Sequence, residues 1–457
     1  MSRWSGRLIG AVLLAIGVAV TLGGATIAQQ REIEGPPRRL SSLKIVAPPN
    51  GGIYLGQHHF APGDIQTFER AIGHKVAMWS PYGVMSGQEW ETQLRFFIDP
   101  AVRAWNEGYV VLGGAYEVTY SDRRPFKVDD LLRGRYDDDL RRLAVQYREF
   151  GRPLFFSAAR EPNGSRWLGG FGQDGTQSLA WAIENGRGLA DFDPSQFPNP
   201  SLYAGLGDQT VCDGLERLAA AHRYYYDFFV RREGLTFLTF DTMGWATPIV
   251  SRPIDAPPGT HAYRLREGCN DFTSFYPGDE YVDWVSLTWY LLDEEGDALV
   301  PIQDYLDNLS EMMRTVAAVA PDKPVLIVEF GAPQGLQQAS TRATEKMRAA
   351  LGALVSHPQI HGFVLWSNSP GYDDPQSPAY YPHDMLIKPN TGQAQEFRSL
   401  IETDPSRFHS CVYLSDGAIL PNCVDRPGAS TAGMGEEAGA ERGQEEREQG
   451  ARRPRRP

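Results

Sequence analysis

Two glutamates, Glu161 and Glu329, each stand at the end of an apolar run, 168 residues apart in the chain. Glu329 closes Val325-Leu-Ile-Val328, which carries no other charge, and Glu161 follows Leu154-Phe-Phe-Ser-Ala158. A carboxylate placed so is either paired to a buried base or placed for chemistry. Arg160, Asn163 and Trp167 crowd around Glu161, so its surroundings offer a charge, an amide and an indole. Two carboxylates flanking one bond can hydrolyse a glycoside. In the retaining form they stand about 5–5.5 Å apart, one as nucleophile and the other as acid and then base. Here Glu161 would have to hold its proton and Glu329 would have to stay ionised.

Elements able to carry such a pair recur along the chain. Strand-like apolar runs begin at Ile53, Lys75, Tyr109, Pro153, Leu235, Val282, Pro324 and Gly362. They are nearly continuous, as parallel strands covered on both faces require. Between them, Leu140, Leu143, Ala144 and Tyr147 keep helical spacing, as do Ile302, Tyr305, Leu306, Leu309 and Met313. Eight strands alternating with helices predict an α/β fold, a (β/α)8 TIM barrel, with a doubly wound open sheet as the alternative. Functional residues of such a barrel lie where strands run into the following loops. The strand ends here supply His58, His59, Arg160, Glu161, Asp241, Trp289, Tyr290, Glu329 and Trp366. Indoles suit sugar faces and carboxylates suit the glycosidic bond. His59, Arg160, Asn163, Trp167, Asp241, Trp289, Tyr290 and Trp366 are therefore the expected substrate contacts, although Asp241 also fits a loop cap.

Several of these stretches together resemble a known family. Arg160-Glu161-Pro-Asn163-Gly164 with Trp167 resembles the acid/base segment of glycoside hydrolase family 26, and Lys323-Pro-Val-Leu-Ile-Val-Glu329-Phe-Gly331 resembles its nucleophile strand. Tyr276-Pro-Gly-Asp-Glu-Tyr-Val-Asp-Trp284 and Tyr290 are similar to its sixth-strand region, Gly134-Arg-Tyr-Asp137 to the helix before strand four, and Trp366 to the strand-eight tryptophan under the cleaved sugar. The resemblance runs from about residue 50 to 400. It implies a clan A barrel, an exported endo-β-1,4-mannanase-like activity, Glu329 as nucleophile, Glu161 as acid/base and no cofactor. Arg160 stands where the family carries histidine, Ser157 where it often carries arginine, and Pro162 where methionine is usual. An arginine against Glu161 would favour the ionised form, which opposes its work as an acid.

The remainder of the chain bounds the setting. A net charge of −13 argues against nucleic-acid binding, which needs a basic face. Arg3 and Arg7 precede an uncharged run from Leu8 to Leu22 and small residues up to Ala28, as in a secretory signal. Residues 1–28 are thus expected to be a cleaved signal or, as a second option, an anchor through residues 8–27. A linker over 29–42, a catalytic domain over 43–425 and a disordered charged tail over 426–457 follow. Export to the periplasm or cell exterior makes disulfides expected, with Cys411–Cys423 and Cys212–Cys269 the favoured pairs and free buried thiols the alternative. Gly170-Phe-Gly172-Gln-Asp-Gly175 matches a dinucleotide fingerprint in letters but lacks the strand directly before it. No metal-binding pattern accompanies His58 and His59.

The expected protein is an exported, monomeric, retaining β-glycoside hydrolase acting on a β-linked polysaccharide. Its rival is a non-hydrolytic carbohydrate-binding protein serving exopolysaccharide assembly, which Arg160 and an N-terminal anchor would suit.

Overall fold

Eight strands pair in parallel around a closed circuit. In chain order they are β1 (Ile53–His59), β2 (Met78–Pro81), β3 (Val110–Gly114), β4 (Leu154–Ser157), β5 (Leu238–Asp241), β6 (Val285–Tyr290), β7 (Val325–Gly331) and β8 (Ile360–Trp366). The computed structural model describes residues 40–59, 63–81, 101–114, 128–158, 192–206, 216–242, 245–246, 272, 276–291, 301–331, 340–366, 387, 389–420 and 423. The barrel lies within one unit, Ser41–Pro457. β8 pairs with β1, and the circuit closes between β5 and β6 through the parallel bridge Asp241–Trp284. The Trp284 N–H donates to Phe240 O at 3.1 Å and the Thr242 N–H to Trp284 O at 3.0 Å. A doubly wound sheet would leave two edges open; this sheet is a (β/α)8 barrel.

Helices cover the outside. α1 (Gly63–Ile72) follows β1, α2 (Asp137–Phe150) precedes β4, and α3 (Glu216–Tyr226) precedes β5. α4 (Ile302–Val319) joins β6 to β7, α5 (Ser340–Ser356) joins β7 to β8, and α6 (Gly392–Thr403) follows β8. α2 buries Leu140, Leu143, Ala144 and Tyr147, the stripe that its spacing predicts, and stops at Gly151, whose φ of +60° favours a residue without Cβ. α4 buries Tyr305, Leu309 and Met313 as expected; Met312 and Val316 complete its inner face, while Ile302 and Leu306 sit at the margin.

Register partners in a parallel pair share a face, so each strand sorts into inward and outward residues. Tyr54, Phe155 and Trp284 come from three strand positions that are not neighbours in the circuit, and the Trp284 ring lies 6.3 Å from that of Tyr54 and 5.4 Å from that of Phe155. They can meet only inside the barrel. Outward, Phe156 packs on Tyr147 of α2, and Phe363 packs on Phe397 of α6.

A short strand, Ile45–Val46, seals the end at which the strands begin. The Ile45 N–H donates to Thr239 Oγ1 at 2.9 Å, Trp284 Nε1 donates to Ile45 O at 3.1 Å, and the Tyr54 hydroxyl donates to Val46 O at 2.9 Å. This strand pairs with Tyr413–Leu414, whose hairpin carries the Cys411–Cys423 disulfide. With that end filled, the opposite end holds the candidate site.

Candidate active site

Glu329 faces the barrel interior because β7 breaks its own alternation. On one side, Ser286 and Thr288 of β6 are partners of Leu326 and Glu329, so a two-residue step on β6 spans three residues of β7. On the other side, Phe363 and Leu365 of β8 are partners of Ile327 and Phe330, again two against three. The extra residue is a β-bulge, and Val328 is the one half-buried residue in an otherwise buried strand. Strict alternation from inward Leu326 would turn Glu329 out toward the helices. The bulge turns it back in, level with Thr288, and it is 3% exposed.

Three neighbouring strands furnish the surroundings of this carboxylate. The Tyr290 hydroxyl, from the end of β6, donates to Glu329 Oε2 at 2.5 Å. His58 of β1 places Nε2 4.0 Å from Glu329 Oε1 and 2.7 Å from the Val328 carbonyl oxygen. Trp366, closing β8, lies with its ring centre 5.2 Å from that of His58 and meets Tyr290 edge-on at 6.4 Å. Tyr290 and Trp366 thus touch across the intervening β7, on the side where Glu329 points. A carboxylate oriented by a phenol and bordered by an indole is equipped to attack an electrophilic carbon beside an apolar ring face.

Asp241 ends β5 inside the same barrel. It is fully buried and accepts a hydrogen bond from the Ser157 hydroxyl at the end of β4, while its Oδ2 meets no donor within hydrogen-bonding distance among the described residues. Burial pushes its carboxyl up to about 8, against the Ser157 and Ser286 hydroxyls, which pull it down. At neutral pH it is a protonated acid tying two strand ends together. The expectation of a substrate contact gives way here to an internal tie, because no part of Asp241 reaches solvent.

Trp289 is displaced from its expected role as well. It neighbours Tyr290 in the strand and so faces the other way, 1% exposed and stacked on Phe330 at 5.7 Å. Phe330 in turn meets Phe363, placing Trp289 in the layer between sheet and helices. His58 was the residue singled out too weakly. Tyr54, Gly56 and His58 alternate on β1, and that alternation, carried up from Tyr54, sets His58 on the inward face.

Glu161, Arg160, Asn163, Trp167, the side chain of His59, Cys212 and Cys269 lie outside the described residues. Ser157, four positions before Glu161 in the sequence, is inward-facing at the end of β4, level with Asp241. Among the described residues no cluster of three or more His, Cys, Asp or Glu could hold a metal ion, and no helix is long and apolar enough to cross a membrane.

A closed parallel eight-stranded barrel with a buried, oriented carboxylate at the ends of its strands is the architecture at hand. No protein-family model matches the sequence, and no curated protein matches it. Solved structures do match. The chain is similar to the catalytic domain of a glycoside hydrolase family 26 endo-β-1,4-mannanase from Bacillus sp. JAMB-750, at 15% identity over 77% of this chain and 86% of that one, TM-score 0.45. It is similar to a modular endo-β-1,4-mannanase from Cellulomonas fimi, at 14% identity over 86% and 80%, TM-score 0.47. A third is a β-mannanase from a symbiotic protist of the termite Reticulitermes speratus, at 14% identity over 84% and 98%, TM-score 0.42.

Proposed function

We propose that this protein is an exported retaining β-glycoside hydrolase that cleaves a β-linked polysaccharide, with a β-1,4-mannan the first candidate. The observation that carries the reading is Glu329: a carboxylate at the end of a barrel strand, turned inward by a bulge and held by the Tyr290 hydroxyl at 2.5 Å. A residue meant only for packing would not be rotated out of its strand's alternation to bring a carboxylate inside. In this reading Glu329 attacks the anomeric carbon and forms a glycosyl-enzyme. Glu161 gives its proton to the leaving oxygen and later takes one from the water that releases the sugar. Trp366 lies beneath the reacting sugar, and Tyr290 keeps the nucleophile oriented until the bond forms. Asn163, Arg160 and Trp167 would contact sugar beside Glu161. The motif resemblance of both glutamate segments to family 26 supports the mannan assignment. The Cys411–Cys423 disulfide supports export, since such bonds persist in oxidising compartments, as does the basic and apolar start of the sequence.

The test is product analysis on a panel of mannans, β-glucans and xylans, with Glu329→Ala alongside the parent protein. Cleavage that vanishes in Glu329→Ala, and returns with exogenous azide as an inverted glycosyl azide, supports the reading. Cleavage that survives Glu329→Ala sinks it. Tight binding without any cleavage by the parent protein would instead favour a non-hydrolytic carbohydrate-binding protein.

A further inference from the structure

The bulge at Val328 requires something to hold it. An extra residue in one strand takes its carbonyl out of the regular ladder, and a buried carbonyl without a donor is costly. The Val328 oxygen finds its donor in His58 Nε2 at 2.7 Å. A carbonyl only accepts, so Nε2 must carry hydrogen whatever the charge of the ring. The same N–H edge lies 4.0 Å from Glu329 Oε1, so the imidazole presents its positive side to the carboxylate as well. His58 is itself confined: it is 4% exposed, has Ser80 and Trp366 as its register partners on either side, and lies against the Trp366 ring.

From this geometry we infer that His58 is a positioning residue for Glu329, acting through the backbone of Val328 rather than on the substrate. This rests on the reading of Glu329 as nucleophile. Two packings of β7 compete. With the bulge, Glu329 points into the barrel and Val328 is half-buried. Without it, Val328 and Phe330 point in and Glu329 takes the place of Phe330 in the layer beside Trp289 and Phe363. That apolar layer already disfavours the second packing, since a carboxylate buried among aromatic rings lacks partners. The His58 N–H adds the specific contact that stabilises the first and sets the carboxylate to within the tolerance catalysis needs.

Two substitutions separate this role from ordinary packing. His58→Leu keeps bulk but has no donor, and His58→Gln can present an amide N–H near the position of Nε2. Crystal structures of both, with kcat and KM on whichever polysaccharide the parent protein cleaves, are the measurements. The expected result is a shifted or straightened strand at Val328 in His58→Leu, with kcat lower by about 100-fold and KM nearly unchanged. His58→Gln should retain the bulge and recover kcat to within about tenfold of the parent. A His58→Leu structure with the bulge and Glu329 unmoved overturns the proposal, and so does a folded His58→Gln that stays as impaired as His58→Leu. If leucine prevents folding, His58→Gln decides alone: kcat within about tenfold supports the role, and a loss of about 100-fold in a folded protein overturns it. Should the parent protein cleave nothing, the glycosidase reading falls, while the crystallographic comparison still decides what His58 does to Glu329.

Discussion

The phenol of Tyr290 and the carboxylate of Glu329, 39 residues apart in the chain, share a hydrogen bond of 2.5 Å at the ends of adjacent strands. A hydroxyl donating to a carboxylate favours the ionised form and fixes which oxygen is free to react. Tyr290→Phe keeps the ring and its edge-on contact with Trp366 while removing that bond. Its kcat/KM should fall by about 10- to 100-fold, the range for a hydrogen bond to a charged group. Steady-state kinetics on the cleaved polysaccharide check this, and an unchanged value would remove Tyr290 from the site.

Trp289 and Trp366 close neighbouring parts of the barrel but face opposite ways, and they should fail differently. Trp289→Ala opens a cavity between sheet and helices and should cost about 3–5 kcal/mol of stability, with KM unaltered in the protein that remains folded. Trp366→Ala removes a ring from the interior face and should raise KM by about tenfold, the worth of one good ring contact. Denaturant titration and KM measured on both variants would show whether the two indoles divide as the structure divides them.

Asp241 ties stability to pH. Its carboxyl holds a proton up to about 8 in the fold, against an ordinary value of 3.8 once unfolded. Across that window the folded chain binds more protons than the unfolded one, so this group lowers stability as pH rises from about 4 to about 8 and has no further effect above it. Asp241→Asn cannot titrate. Its melting temperature relative to the parent should therefore climb between about pH 5 and about pH 8. Parallel melts across that range test it; a constant difference would mean that Asp241 is ionised in the fold.

The Cys411–Cys423 bond closes a loop of 12 residues next to the strand that seals the barrel's lower end. A loop of that size is worth about 3 kcal/mol of stability through the unfolded chain. The double substitution of Cys411 and Cys423 by serine should lose that amount in denaturant titration, with activity at low temperature retained. Reducing the parent protein should reproduce the loss.

Much of this fold was legible in the sequence because its strands are buried on both faces. Val110-Val-Leu, Leu154-Phe-Phe and Val325-Leu-Ile-Val read as parallel strands from composition alone, and the spacing in α2 named four of its buried residues, Leu140, Leu143, Ala144 and Tyr147, while Asp139 and Phe150 are buried beside them. Glu329 and Tyr290 were visible for the same reason: each stands at the end of such a run. Trp289 was not separable from Tyr290, since which of two neighbours faces inward depends on register, and register is set by the partner strands. Asp241 read as a polar strand end with two roles open, because its seclusion is the work of β4 and β6 around it.

The sequence by itself determined that eight apolar segments would alternate with amphipathic helices and that Asp241 and Glu329 would stand toward the ends of two of them, since burial and periodicity are properties of local stretches. Only the tertiary structure decided that Glu329 points inward. Counting alternately from Leu326 sends it outward; pairing with β6 and β8, and the His58 contact with the Val328 carbonyl, insert one residue and reverse it. A bulge lies in the mismatch between strands, and that mismatch exists only once the strands have met.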